Sequence, residues 1–585
     1  MRPVAPAVAV LLATMIAAGI GAAVLHLNGV RTVTFGDIEI TLSNVWRPIA
    51  AAATLLVIAL IRYWRYGFAR TTIFAVMFVL LCLSIVLISQ PSPQQWVSAD
   101  VAMFEIYTRN AANGQQMLGA YSQFGWNHPG PLPFYAFLPF YLLGGHGQHA
   151  LSGGALAINL FALFVIAWMT LRHGRGALAP LVGVFLLAYL ARIPELPSSF
   201  WNPHILVLPL AAFVALCAAI AIGEMALIPV AVLIGSWIIH AHVGLSIAVI
   251  ACVVVTAWLA HGSGRSVPRS AVALAVAALM AAWALPVAEQ LTNMPGNMRQ
   301  IVEFFLFQDG PRPSIAVSVR AASAMVAGLF RPSFHVAPGS AFEPVEWASV
   351  IVTFALAAIL AFMVRADWRR GARYNAALGA CCLALIGAGH LSAANIRGTI
   401  VDHQLFWLSI VGVVSVAVVV SGLVQPRLHS VPKAPLIGIT LLLYAASCVV
   451  TFRAFADRAD PPRLADSRTV ETLADAITAA VRNGLVVNRD RILLEVDPKA
   501  WHIAAGIVLH LWKADIEVHV DPRLVWLYGS AYRPDGLENT LLTVAGADKH
   551  KDVMQQPGRV LLAERDDVFV SIRRIEPFDS NLTVR

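Results

Sequence analysis

The sequence predicts a polytopic α-helical membrane protein of about thirteen transmembrane helices, followed by a soluble, extracytoplasmic α/β domain at the carboxyl end. The 585-residue chain is 58% hydrophobic and 13% charged, with a mean hydropathy of +0.71. Soluble domains are about 45–50% apolar and about 25% charged. Apolar runs that can cross a bilayer recur up to about residue 453, and the more polar remainder has the pattern of a small globular domain.

The spans follow from the rule that a transmembrane helix needs about 20 mostly apolar residues. The predicted spans lie near residues 5–27, 47–61, 71–90, 150–170, 177–193, 203–222, 225–240, 243–260, 270–288, 347–364, 374–391, 405–424 and 434–453. The first run is longer than the apolar part of a usual signal peptide, so we expect it to remain as an uncleaved helix.

Basic residues cluster in alternate short loops, and these clusters predict the orientation, because such loops stay in the cytoplasm. The clusters are Arg62/Arg65/Arg70, Arg172/Arg175, Arg265/Arg269, Arg365/Arg369/Arg370/Arg373 and Arg427/Lys433. The amino terminus is therefore predicted inside. Loops 91–149, 289–346 and 391–404 and the tail from about 454 are predicted outside. Because the basic residues lie in short clusters between apolar runs, the net charge of +8 does not indicate nucleic-acid binding.

Two absences narrow the function. No Asp, Glu, Lys or Arg lies in the middle of a predicted span, which weighs against an ion-coupled transporter or proton relay. All cysteines lie in apolar runs, so the sequence predicts no disulfide framework and no metal-type spacing. They are Cys82, Cys217, Cys252, Cys381, Cys382 and Cys448. No cofactor is indicated, and dependence on a divalent metal is left open.

The tail has the order of a βαβ unit followed by a hairpin. The predicted elements are a helix from Asp466 to about Arg482, a strand at 491–496, a helix at 501–513, a strand at 516–520, and a hairpin of 560–565 with 568–573. It contains no Gly-rich phosphate-binding fingerprint and no nucleophile elbow. We therefore expect an accessory role in packing or acceptor binding.

The first long outer loop carries the strongest candidate for catalysis. Asp100 follows Trp96, an interfacial type of aromatic residue, and begins a segment predicted to form a helix along the membrane to about residue 118. Asp100, Phe104 and Tyr107 share one face of that helix, whereas Glu105 lies about 140° away and does not pair with Asp100. Asp100 could act as a general base or could only cap the helix, and the two interpretations have equal weight.

The same loop contains the rigid segment Trp126-Asn-His128-Pro-Gly-Pro-Leu-Pro-Phe-Tyr135. Its prolines fix the backbone and hold His128 where it could donate to a phosphate or orient a hydroxyl. The alternative is a rigid turn in which His128 only satisfies a backbone carbonyl.

Further polar residues at the predicted outer ends of the spans could bind a lipid-linked phosphate, which needs several directed donors. The candidates for substrate or phosphate binding are Arg192, Asn202, His242, Arg299, Arg320 and Arg397, with Tyr135. Any single arginine could instead be an interfacial residue, and structural roles are favoured for the paired His240 and His242 because no acid accompanies them.

These residues together resemble the GT-C membrane glycosyltransferases, which include protein mannosyltransferases, the aminoarabinose transferase of lipid A and mycobacterial arabinofuranosyltransferases. In that group an acid in the first long outer loop is the catalytic base, and Asp100 stands at that place. A Pro-Pro-Leu-like element often follows, and His128-Pro-Gly-Pro-Leu132 with Tyr135 looks like a variant of it. The resemblance covers the topology of about residues 70–454, together with an outer tail.

The resemblance implies a division into an amino-terminal pair of spans (1–70), a GT-C-like transmembrane catalytic core (71–454) and an extracytoplasmic domain (455–585). Two features depart from the family pattern. Two spans precede the family's first helix, and only one acid occupies the usual position of an Asp/Glu pair, which bears on metal dependence.

The implied activity is inverting transfer of a sugar from a polyprenyl-phosphate donor to a hydroxyl of an envelope glycan, lipid or protein. The implied place is the outer face of a bacterial inner membrane, with Asp100 as base and His128 in contact with acceptor or phosphate. A lipid or polysaccharide translocase, or a scaffold subunit of an envelope-assembly complex, remains an alternative. An O-antigen-polymerase-like enzyme is another, since loop 289–346 contains several arginines.

Overall fold

The structure is a computed structural model, and the chain forms two compact units within it. The structure describes residues 32–35, 38–41, 96–144, 146–175, 177–193, 195–262, 264–307, 310–331, 347–424, 465–486 and 491–575. The first unit, called here the helical unit, comprises residues 1–92, 140–282 and 309–456. The second, called the mixed unit, comprises residues 93–139, 283–308 and 457–585.

Helices dominate the described chain, with a small antiparallel pair of strands, β1 (Thr32–Phe35) and β2 (Ile38–Thr41), before them. In chain order the helices are α1 (Ala99–Ala112), α2 (Leu132–Leu143), α3 (Gln148–His173), α4 (Leu178–Arg192), α5 (Val207–Ala221), α6 (Ile228–Ala241), α7 (Ser246–His261), α8 (Arg269–Thr292), α9 (Asn297–Phe307), α10 (Ile315–Val326), α11 (Trp347–Arg369), α12 (Arg373–Ala394), α13 (Leu408–Val424), α14 (Ala465–Arg482) and α15 (Trp501–Lys513). Short helical turns, Asn202–Ile205 and Asp402–Leu405, precede α5 and α13.

Seven helical segments in the described chain are long and apolar enough to cross a membrane, and each matches a predicted span. They are Gln148–His173, Asn202–Ala221, Val243–His261, Arg269–Thr292, Trp347–Arg369, Arg373–Ala394 and Asp402–Val424. The predicted spans 177–193 and 225–240 form the shorter apolar helices α4 and α6. Those at 5–27, 47–61, 71–90 and 434–453 lie outside the described residues, so the total of thirteen stays a prediction.

The core of the helical unit is built around α5, which is apolar on every side. The apolar window of Asn202–Ala221 is 100% buried, whereas that of Trp347–Arg369 is only 28% buried. A helix without a polar face is stable where neighbours surround it. Close packing uses small residues: a Cβ on Gly412 of α13 would lie 1.9 Å from the carbonyl oxygen of Val326.

The mixed unit contains a five-stranded sheet formed by the tail. Its strands are β3 (Ile492–Val496), β4 (Val518–Val520), β5 (Thr540–Gly546), β6 (Val560–Arg565) and β7 (Val568–Arg574), in the order β4-β3-β5-β7-β6. Strands β3 and β4 are parallel with α15 between them, which confirms the predicted βαβ unit, and the antiparallel β6–β7 pair confirms the hairpin. The sequence analysis missed β5, which is the central strand.

The tail packs against α1, which carries Asp100, within this unit. Lys513 pairs with the fully buried Glu105 at 2.6 Å, and the Tyr107 hydroxyl donates to the Leu527 carbonyl. A Cβ on Gly506 would lie 2.2 Å from the backbone carbonyl oxygen of the residue two positions before α1. Helix α1 ends at Ala112 rather than near residue 118, because the Asn-Gly pair that follows leaves the helical conformation.

Candidate active site

Asp100 lies in the first turn of α1 and accepts a hydrogen bond at Oδ1 from the hydroxyl of Tyr121. Ser98, rather than Asp100, occupies the N-cap position, and its side chain makes no capping bond. The carboxylate therefore does not cap the helix. Its place near the helix amino terminus is electrostatically favourable for a negative charge.

A tight hairpin in the outer loop brings Tyr121 to Asp100. Tyr121 pairs with Asn127 in an antiparallel bridge, and the His128 N–H donates to the Ala120 carbonyl at 2.7 Å. Gly125 forms the turn with a φ of +85°, a conformation that glycine adopts without steric cost. The first residues of the predicted rigid segment, up to His128, thus form one side of this hairpin, and its last residues begin α2. The sequence analysis did not predict the hairpin.

The surroundings of Tyr121 keep its hydroxyl protonated, so that it acts as a hydrogen-bond donor. Its ring packs edge-on against Trp501 at 5.4 Å and Trp526 at 6.4 Å between centroids. Burial, and after it the charge of Asp100, raises the pKa of Tyr121 far above its usual range. The phenol therefore stays protonated, and Asp100 is the acceptor of the bond.

The other edge of the hairpin is held by an amide pair. The Asn127 N–H donates to Asn297 Oδ1 at 2.8 Å, and Asn297 Nδ2 donates back to the Asn127 carbonyl at 2.7 Å. The Asn297 N–H in turn donates to the buried carboxylate of Glu289 at 3.1 Å. Sequence reasoning assigned no role to Glu289, although an acid just beyond a predicted span was a visible signal.

The tip of the hairpin and α9 border an open cleft of about 520 Å³. Most of its lining is aromatic, and two lining residues are polar. The lining includes Phe124, Trp126, Phe304 and Phe307, with Gln300 and Glu303. This combination suits a substrate that has both apolar and hydroxyl-bearing parts.

Four predicted site residues lie in the mixed unit: Asp100, His128, Tyr135 and Arg299. His128 is 8% exposed and stands edge-on to the Trp126 ring at 5.7 Å. The Tyr135 hydroxyl donates to a backbone carbonyl of the same loop at 3.2 Å. Arg299 is exposed and pairs along α9 with a glutamate at 2.6 Å.

The other five lie in the helical unit: Arg192, Asn202, His242, Arg320 and Arg397. Arg192 donates to three backbone carbonyls after α10, at 2.6–2.9 Å. Arg320 lies over a tryptophan ring at 5.8 Å, and His242 Nδ1 accepts from the N–H two residues on at 3.1 Å. Asn202 begins the helical turn before α5. In the described chain, Arg397 Nε is buried without a hydrogen-bond partner.

One group of acid and histidine side chains within the described ranges has metal-compatible spacing, in the tail rather than near Asp100. Ligand atoms of His519, Asp535 and Glu538 lie within 4.8 Å of one another. His519 bonds directly to Glu538, and Asp535 pairs with Arg491. These pairings account for the arrangement as an internal ion-pair network of the domain.

Comparison with solved structures identifies the fold. No protein-family model and no curated protein matches the chain. ArnT from Cupriavidus metallidurans in the apo state matches with a TM-score of 0.51 and 13% identity, over 86% of this chain and 97% of ArnT. The same ArnT bound to undecaprenyl phosphate gives 0.47 and 12%, with the same coverage. The arabinofuranosyltransferase AftD from Mycobacteria gives 0.30 and 16%, over 86% of this chain and 40% of AftD.

The likeness to apo ArnT shows the fold, and at that level it confirms the resemblance found in the sequence: the chain is a multi-pass membrane protein with a GT-C-like fold.

Proposed function

We propose that this protein is a glycosyltransferase that moves a sugar from a polyprenyl-phosphate donor to a hydroxyl of a cell-envelope acceptor. One observation carries the proposal. Within a GT-C-like fold, the first long outer loop presents a carboxylate, Asp100, that does not cap its helix and is held by the Tyr121 hydroxyl. A general base must be oriented toward the proton that it takes, and the bond from Tyr121 orients the carboxylate of Asp100.

Polyprenyl phosphate is already a competent leaving group, so the protein has mainly to position the two reactants and accept the proton of the acceptor hydroxyl. Asp100 takes the proton of the acceptor hydroxyl as its oxygen attacks C1 of the sugar. The C1–O bond to phosphate breaks from the opposite face, its electron pair leaves with the phosphate, and the configuration at C1 inverts. Alignment of the two reactants and stabilisation of the departing charge supply the rest of the acceleration.

His128, which lies in the hairpin that presents Tyr121, is assigned to contact with the acceptor or phosphate. Among the arginines, Arg397 is the favoured phosphate ligand, because its buried Nε has no acceptor among the described residues. Arg192 already donates to three carbonyls and would have to exchange them. Arg299, Arg320, Asn202, His242 and Tyr135 remain proposed substrate contacts.

The basic clusters support an orientation in which Asp100 and the tail face the outside of a bacterial inner membrane and the amino terminus faces the cytoplasm. The proposal keeps the division into residues 1–70, 71–454 and 455–585. An outward site fits the substrate class, since envelope acceptors are completed on that side of the membrane.

The test is transfer by the purified full-length protein in lipid nanodiscs. The probes are synthetic polyprenyl-phosphate-linked pentoses and hexoses, with solubilised envelope material as acceptor. We expect protein-dependent release of polyprenyl phosphate, measured by mass spectrometry, together with a glycosylated product. If protein reconstituted in vesicles moves a labelled polyprenyl-phosphate sugar across the bilayer without releasing polyprenyl phosphate, the protein is a translocase and the proposal fails.

A further inference from the structure

We propose that Tyr121 is a positioning residue for Asp100, and that the carboxyl-terminal domain holds Tyr121 in place through Trp501 and Trp526. The domain is then part of the catalytic apparatus, which goes beyond the accessory role expected from its sequence. This inference rests on the proposed function, in which Asp100 is the base.

The first step is the bond itself. Tyr121 donates to Asp100 Oδ1, and its pKa is raised by burial and by the Asp100 charge, so the phenol donates throughout the physiological range. A fixed donor on one oxygen restricts the orientation in which the carboxylate can meet an acceptor hydroxyl. Two further phenols, Tyr107 and Tyr528, interact electrostatically with this pair, and burial raises the pKa of each. They therefore stay neutral as well.

The second step is what fixes the phenol. The bridge between Tyr121 and Asn127 sets its backbone. The ring has only two side-chain torsions, and the edge contacts with Trp501 and Trp526 restrict both.

The third step is that the two tryptophans are themselves fixed relative to α1. Trp501 is the first residue of α15, whose last residue, Lys513, pairs with the buried Glu105 of α1. Trp526 lies in the helical turn Val525–Tyr528, and this turn accepts hydrogen bonds from two side chains of α1. Asp100, its donor and the two clamping rings therefore belong to one packed assembly.

The experiment is Tyr121→Phe in the full-length protein in nanodiscs, assayed for release of polyprenyl phosphate from a synthetic donor. Loss of a hydrogen bond to a charged group predicts a fall in kcat of about tenfold. The KM for the donor should stay within about twofold, because a positioning residue acts through Asp100 and not on the donor. The acidic limb of the pH–rate profile should move up by about one pH unit, because the ionised carboxylate has lost a stabilising donor.

The matched control is Tyr532→Phe, which removes a buried phenol hydroxyl from the same unit. The charge that acts on this phenol is that of Arg109 and not that of Asp100. Tyr532→Phe should lower thermal stability but leave the acidic limb in place. A merely structural role for Tyr121 would give the two variants the same behaviour, and this result would overturn the inference.

A second pair of variants tests the domain's part. Trp501→Ala should lower kcat and shift the acidic limb in the same direction as Tyr121→Phe. Trp501→Phe keeps an aromatic ring at this position, so its kcat and its acidic limb should lie close to those of the parent protein. The double variant Trp501→Ala/Tyr121→Phe should be no worse than Tyr121→Phe, because both act through one bond. If the losses in kcat of the two single variants add fully in the double variant, the two residues act independently, and Trp501 does not act through Tyr121.

The inference and the proposed function fail in different ways. If Asp100→Asn is inactive and Tyr121→Phe has a normal rate and pH profile, the positioning role is wrong while the base assignment stands. If Asp100→Asn retains normal turnover, both are wrong.

Discussion

Asp100→Asn is the most direct perturbation of the proposed site, because it removes the basic function and little else. Asparagine has nearly the same shape as aspartate. Its amide oxygen can still accept the Tyr121 hydroxyl, so the bond between α1 and the hairpin is kept in neutral form. What disappears is the negative charge and the ability to take a proton from an alcohol.

The expected changes in activity and stability differ greatly in size. General-base catalysis contributes about 10²–10⁴ in rate, which is about 3–5 kcal/mol of transition-state stabilisation. The hydrogen bond changes from a charged one, worth about 1.5–3 kcal/mol, to a neutral one, worth about 0.5–1.5 kcal/mol. The variant should therefore lose about 1 kcal/mol of stability and at least a hundredfold in kcat.

The assay compares single-turnover release of polyprenyl phosphate with thermal unfolding of the same nanodisc preparations. Asp552→Asn is the matched control, since Asp552 is an exposed acid in the same unit; it should leave both quantities unchanged. Turnover of Asp100→Asn within tenfold of the parent protein would refute the assignment of Asp100 as base. A large drop in unfolding temperature alongside lost activity would mean that the carboxylate is structural.

Three further predictions concern the packing that supports the site. Lys513→Met should lower the unfolding temperature, because it removes the cation that pairs with the buried carboxylate of Glu105. The expected loss is about 1–3 kcal/mol, and Glu105→Gln in the same chain should recover part of it. Asn297→Ala removes the side-chain amide that bonds to the backbone N–H and carbonyl of Asn127. The free energy of unfolding should fall by about 1–3 kcal/mol, and proteolysis of the hairpin should be faster. Gly506→Ala should separate α15 from the segment before α1, seen as faster amide exchange there, since its Cβ would lie 2.2 Å from a backbone oxygen.

Local patterns accounted for much of the fold. The runs that became α3, α8 and α11 are apolar over the length of a bilayer, and that property can be seen in a single stretch of sequence. The βαβ unit and the terminal hairpin of the tail were also predicted, because each joins neighbours in the sequence. Strand β5 was missed because its partners, β3 and β7, are separated from it in the sequence, so no adjacent strand indicates the pairing.

The sequence by itself determined that this is a multi-pass membrane protein with a polar outer loop, and it singled out Asp100 as a candidate base. Hydropathy and charge placement depend on composition along the chain, so no tertiary contact is needed to find them. Only the tertiary structure decided that Asp100 does not cap its helix, that Tyr121 donates to it, and that Trp501 and Trp526 hold Tyr121. Tyr121 is 21 positions from Asp100 and the two tryptophans are hundreds of positions from both, so packing rather than sequence periodicity brings these residues together.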